Sequence, residues 1–398
     1  MYDVIIAGGG PAGSYTAYRL AEQGHSVLVL ERHRRAGEAV CCTGIIGREC
    51  ADVFGIGDEV ILRQANGASL YSPAGTLLHV QRDKPQACII DRAAFDAAMA
   101  ERARGAGAEF RFESRVTDIV AGTGGVTVQV SCRGTGETLQ TKATVVATGF
   151  TPGLLRRLGL GDFKDYTVGA QAEVAAPGCE EVEVYFGDMA PGFFGWIVPT
   201  SPPMARVGLM CRRKPGYYLK NWMAQLAVEG KIASAEADIR YGGIPLKPLP
   251  RSYGERMLVV GDAAGQVKPT SGGGIYYGLI GAELAAATLH DALADGDLSA
   301  KRLSRYEREW RKKLGRELRV GYWARKLYEH IGNRRVDRLF EMVKSRGIDR
   351  AMLGMEDLSF DWHSRTILTL AKRQVAVQAM NLLKLPLRVA GFDRQRGK

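Results

Sequence analysis

Apolar residues come in short unbroken runs at the start of the chain. Val4-Ile5-Ile6-Ala7 is one run and Val27-Leu28-Val29-Leu30 is another. Such runs predict buried strands over residues 3–7 and 26–30, with a helix over 11–24 between them. Strand, helix, strand is the βαβ opening of a doubly wound sheet. Residues 60–82 read as β-structure broken at Asn66-Gly67 and Ser72-Pro73. A helix is expected over about 91–106, with Asp91 at its N-cap. Phe110–Phe112, Val116–Val120 and Val126–Val130 alternate as strands do, and 143–148 is another apolar run. Longer alternating segments follow: Thr167–Val174, Val182–Phe186, Gly195–Val198 and Ala205–Cys211. They predict an antiparallel sheet. A helix is expected over 215–238, a strand at Met257–Val260, and a long helix over about 273–293. The fold class is thus α/β. Residues 1–60, 85–160 and 250–297 are expected to form one discontinuous doubly wound domain. Residues 61–84 and 161–249 are expected to form an inserted antiparallel-sheet domain for substrate, and 298–398 a helical C-terminal region.

Composition narrows the setting. Among 398 residues, 46% are hydrophobic, enough for a sizeable core, yet no run approaches the roughly 18 apolar residues of a membrane span. The first residues lead straight into a strand, so no secretory signal is expected. Seven cysteines, an odd number without a CxxC pair, argue against a disulfide framework and for a reducing, cytoplasmic setting. Six histidines show no metal-ligand spacing, and no metal is expected. The net charge is +11, with much of the excess in Lys301–Arg350 and in Lys372, Arg373, Lys384, Arg388, Arg394 and Arg396. Such a face suits anionic lipid headgroups or an acidic redox partner as well as plain solvation. No nucleic-acid-binding module is recognisable, and no nucleic-acid partner is expected.

Two motifs carry chemistry. Gly8-Gly9-Gly10-Pro11-Ala12-Gly13 lies between the first strand and the first helix. In a GxGxxG reading, Gly8 permits the turn, Gly10 lets backbone approach a pyrophosphate, and Gly13 packs helix on strand. The helix N-terminus, with Ala12 in its first turn, then faces phosphate. Glu31, about 20 residues on, stands where an acid binds ribose hydroxyls, and Arg32 follows it. An acid there disfavours a ribose 2′-phosphate. Far downstream comes Gly261-Asp262-Ala263-Ala264, and then Thr270-Ser271-Gly272-Gly273-Gly274-Ile275 opening a long helix. Asp262 can accept from a ribityl hydroxyl. Gly273, Gly274 and Ile275 can lie against a flat ring and offer N–H groups to an anionic flavin edge. A plain nicotinamide dehydrogenase needs neither element, so FAD is the expected cofactor.

Further stretches sharpen this into a resemblance. Ile90-Asp91-Arg92-Ala93-Ala94-Phe95-Asp96, Val116 in its strand, Val40-Cys41-Cys42-Thr43-Gly44 and Phe194-Gly195-Trp196-Ile197-Val198-Pro199 accompany the two motifs. Over roughly residues 1–300 the chain resembles the FAD proteins of the glutathione-reductase and para-hydroxybenzoate-hydroxylase type. Within them it resembles the geranylgeranyl reductase family, which saturates isoprenoid double bonds. The resemblance implies that Arg92 meets the FAD pyrophosphate and the Val116 backbone the adenine. It implies that Cys42 and Gly44 lie beside the flavin, with Cys42 a candidate catalytic proton donor. It implies that Phe194, Trp196 and Pro199 belong to the substrate site. The chain departs from the family pattern at Cys41, where an arginine is usual, in lacking an acid after the cysteine, and at Val198, where an aromatic is usual.

Two other readings stay open. One is a flavin monooxygenase of the same fold; the other is a non-catalytic lipid-binding flavoprotein. No second GxGxxG follows Ala147-Thr148-Gly149. The external reductant is therefore expected to be NAD(P)H docking transiently or a reduced ferredoxin-type protein. An isoprenoid lipid substrate and peripheral membrane contact are further expectations, the latter resting on Val375–Phe392 as an interfacial helix.

Overall fold

The computed structural model describes residues 1–38, 40–345, 347 and 359–372. Val375–Phe392 therefore lies outside the described residues. The first apolar run forms strand Tyr2–Ala7 at the centre of an eight-stranded sheet. Val27–Leu30 lies parallel on one side of it and Thr135–Val146 parallel on the other. Glu109–Arg111 and Met257–Val259 extend the parallel set outward. Val126–Cys132 and Ser114–Ala121 branch from Thr135–Val146 as an antiparallel ribbon. Helices Pro11–Glu22, Arg92–Gly105 and Ile275–Ala294 cover one face, where Val4, Ile6, Val29 and Val145 meet Leu20, Phe95 and Leu279. Strands buried on both faces read as continuous apolar runs, which is why these were visible in the sequence.

The second sheet has seven strands, in the order Arg240–Pro245, Tyr166–Ala175, Met204–Cys211, Phe194–Pro199, Val182–Phe186, Gly67–Tyr71 and Leu77–Gln81. Its pairings are antiparallel except one: Val182–Phe186 runs parallel to Gly67–Tyr71. Side chains alternate between its faces. Ala170, Ala172, Val207 and Leu209 lie under helix Pro215–Val228, against Leu219, Trp222 and Met223. Gln171, Trp196 and Met210 lie on the other side and line a cavity.

Two sequence expectations are corrected here. Ile61–Ala65 does not join the large sheet; it pairs with Ala87–Ile90, which also pairs with Ile45–Gly47, in a separate three-stranded sheet. The chain changes sheets at Asn66-Gly67, where a Cβ on Gly67 would lie 2.5 Å from the Val80 carbonyl oxygen. The helix expected over 215–238 ends at Val228. Gly230 turns left-handed there (φ +71°), and the Lys231 N–H returns to the Leu226 carbonyl. Beyond the sheets, helix Ala300–Glu329 buries Leu303, Tyr306, Trp310 and Leu314 in the core shared with the eight-stranded sheet and helix Ile275–Ala294.

Candidate active site

A cavity of about 1210 Å³ lies between the two large sheets. One part is built by the glycine turn. A Cβ on Gly13 would stand 2.0 Å from the Gly8 carbonyl oxygen, so only glycine lets the helix leave the strand at this distance. A Cβ on Gly10 would meet no heavy atom within 4 Å. Gly10 is the N-cap and Pro11 begins the helix, so the open helix end faces the cavity. Glu31 is buried, and its carboxylate accepts from the Gly9 N–H at 2.7 Å and the His33 N–H at 3.0 Å. Arg32 is exposed at the rim, and Val116 lines the wall nearby.

Arg92 enters on the first turn of its helix. Asp91 caps that helix by accepting from the Ala93 and Ala94 N–H groups. The Arg92 guanidinium pairs with Asp96 at 2.9 Å, both side chains being nearly buried. Asp262 faces it from the turn after strand Met257–Val259. Burial pushes the Asp262 carboxyl up to about 6, against the pull of Arg92. Among the described residues no donor hydrogen-bonds this carboxylate. Gly261, Gly273, Gly274 and Ile275 continue the same wall.

These features fit FAD. An open helix N-terminus, a glycine with free space, an ion-paired arginine and an acid awaiting hydroxyl donors meet in one cavity. The cavity also exceeds the roughly 300–1,000 Å³ of ordinary ligand pockets. Glu31 and Asp262 would hold the two polyol portions, and Gly10 and Arg92 the diphosphate.

The Cys42 loop closes another side. Gly44 turns left-handed (φ +73°), and its N–H donates to the Cys42 sulfur at 3.4 Å. Arg206 fixes the loop from below, donating to the carbonyls of Thr43 and Ile90. Gln171 is its hub. Its Nε2 donates to the Cys42 carbonyl, while its Oε1 accepts from the Thr43 hydroxyl and the Trp196 indole N–H. Burial pushes the neighbouring Cys41 thiol up to about 11. From Trp196 an aromatic wall continues through Phe194 and Phe186 to Tyr328, with ring centroids 5.7–6.2 Å apart. Lys268, buried in an ion pair with Asp361 at 2.6 Å, accompanies Phe360, Asp361, His363 and Ile367 in the lining of the same cavity.

Thus Gly8, Gly10, Ala12, Glu31, Arg32, Cys42, Gly44, Arg92, Val116, Gly261, Asp262, Gly273, Gly274, Ile275, Phe194 and Trp196 all line one space. Gly13 lies behind the turn. Pro199 is not in the lining; it is buried at the end of its strand, paired with Ala205. Gln171, Arg206, Lys268 and Asp361 escaped sequence reading. Gln171 alone left a trace, as a polar side chain alternating with Ala170 and Ala172.

A family model described as FAD binding domain matches residues 1–181. Digeranylgeranylglycerophospholipid reductase 2 of Methanothermobacter thermautotrophicus is 31% identical, across 87% of this chain and 93% of its own length. This chain belongs to the geranylgeranyl reductase family. As a member it is an FAD-dependent oxidoreductase. Its fold matches a geranylgeranyl bacteriochlorophyll reductase-like protein from Thermoplasma acidophilum at a TM-score of 0.83, with 21% identity over 96% and 99% of the two chains. A p-nitrophenol 4-monooxygenase from Pseudomonas putida shares the fold less closely, at a TM-score of 0.66 with 18% identity over 96% and 98%. The geranylgeranyl reductase family thus shares its scaffold with monooxygenases, and the choice between reactions rests on the site.

Proposed function

We propose that this protein saturates carbon–carbon double bonds in geranylgeranyl-type chains of lipids or their prenylated precursors. The observation that carries this reading is the aromatic wall Trp196–Phe194–Phe186–Tyr328, continuous with the cavity that fits FAD. The relatives' name, a digeranylgeranyl lipid reductase, supports it. FAD, when bound and reduced, would supply a hydride equivalent, two electrons and one hydrogen, to the alkene. The chain's own residues supply the rest. The apolar wall aligns an extended hydrocarbon and excludes water. An isolated alkene accepts electrons poorly, so developing positive charge needs help, and the indole of Trp196 offers its face. Gln171 holds that indole and the Cys42 loop in one arrangement. The Cys42 thiol, beside Arg92, donates the proton.

The electron donor is a transiently docking NAD(P)H or a reduced ferredoxin-type protein. The basic surface favours peripheral contact with an anionic membrane. The test is anaerobic: dithionite-reduced holoprotein is mixed with a geranylgeranylated lipid, and flavin absorbance and product mass are followed together. Reoxidation with a gain of two hydrogens per turnover is expected, and Cys42→Ala should slow it by about 100-fold while retaining flavin. A flavin that stays reduced until oxygen enters would instead favour the monooxygenase reading.

A further inference from the structure

Helix Ala300–Glu329 presents Ala324, Arg325 and Tyr328 to the aromatic end of the cavity. Arg325 is only 5% exposed. Its guanidinium lies 3.4 Å from the Phe193 ring centroid and 5.6 Å from that of Tyr328. Its Nη2 donates to the Gly192 carbonyl, while its Nε is buried without a partner. No carboxylate among the described residues lies at ion-pair distance. Glu329, one turn on, is engaged by Arg212 and Lys326. The other buried cations of the cavity are matched, Arg92 by Asp96 and Lys268 by Asp361. Burial brings the Arg325 pKa down to about 10, with Glu329 opposing, so the residue stays charged near neutrality at a cost. A buried charge without a counter-charge destabilises the fold. One that lines a cavity can find that counter-charge in a ligand.

We propose that Arg325 binds the phosphate of a prenyl substrate whose hydrocarbon runs along Phe194 and Trp196 toward the Cys42 loop. This assignment rests on the reading that the cavity accepts a prenyl chain. The planar guanidinium suits phosphate, whose oxygens accept in parallel from its N–H groups. The Phe193 face and the Gly192 carbonyl fix the guanidinium in place, so little freedom is lost on binding. Arg325 thereby sets which end of the substrate enters and how far along the wall a double bond comes to rest.

The test measures binding without turnover, by equilibrium dialysis of the full-length FAD-loaded protein. Geranylgeranyl phosphate, geranylgeraniol and inorganic phosphate are the probes. The wild type should hold the phosphate ester about 10- to 100-fold more tightly than the alcohol. Arg325→Met should abolish that preference and leave alcohol binding unchanged, while Arg325→Lys should keep part of it. Visible absorbance checks that each variant retains FAD; if Arg325→Met does not, Arg325→Gln replaces it under the same criteria. Equal binding of ester and alcohol by the wild type, or equal loss of both in the variant, would overturn the assignment. Complete displacement of the ester by millimolar inorganic phosphate would make free phosphate the ligand and overturn the lipid head. Binding of neither prenyl compound would sink the prenyl-chain reading itself, and this proposal with it.

Discussion

Gly10 and Gly13 stand three residues apart and should fail in different ways. A methyl group at Gly13 collides with backbone, whereas one at Gly10 enters open space. Gly13→Ala is expected to cost about 1–3 kcal/mol or more and to lower the melting temperature of the apoprotein. Gly10→Ala should melt like the wild type without FAD yet bind FAD at least about tenfold more weakly, because the methyl occupies the path of the diphosphate. Asp262 makes a pH prediction. Its carboxyl sits at about 6 in the fold, above the ordinary value of about 3.9. The folded protein therefore holds more protons than the unfolded chain between those values. The stability from this group is full below about pH 4 and is lost as pH rises through 6. Ribityl hydroxyls donating to the carboxylate favour the opposite, charged form. FAD affinity should then rise from pH 5 to 7 by up to about tenfold and level off above that. Titrating FAD binding against pH checks this, and Asp262→Asn should flatten the curve.

At the scale of elements, the seven-stranded sheet sets the aromatic wall by cross-strand pairing. Trp196 lies opposite Gly208, where a Cβ would come within 2.5 Å of the indole. Gly208→Ala should tilt the ring away from Gln171 and reduce kcat/KM about tenfold while leaving FAD content unchanged; a parallel loss of FAD would show a wider collapse of the sheet. This pairing also explains what could be read beforehand. The glycine turn, the Asp91 cap and the Asp262 turn are local: residues within a few positions satisfy one another, and their patterns show in the chain. Gln171 bonds to residues 42 and 43, more than a hundred positions away. Arg325 meets Gly192 and Phe193 across a similar span. Nothing near either residue reveals such a partner. The same holds for Ile61–Ala65, whose alternation was visible but whose choice of sheet depends on Ala87–Ile90. Strand Arg240–Pro245 was missed because its Gly-Gly centre lacks a strand's usual apolar beat.

For the whole molecule, the +11 charge makes its own prediction. Among the described residues no helix is long and apolar enough to cross a membrane. Attachment to lipid through that charge would be electrostatic. The protein should sediment with vesicles containing anionic lipid, not with neutral ones, and release as salt rises toward 1 M, where the screening length falls to about 3 Å. Salt-independent sedimentation would point to insertion instead. The cavity also ties together stretches that leave the ribosome at very different times. Its lining begins at Ala7 and reaches Ile367. At about 5–20 residues per second, its first and last contributors emerge tens of seconds apart. Until Asp361 arrives, Lys268 has no counter-charge and the space is open on that side. A nascent chain short of Asp361 should therefore hold flavin less well, and yellow colour in the purified protein becomes a report of translation carried past that residue.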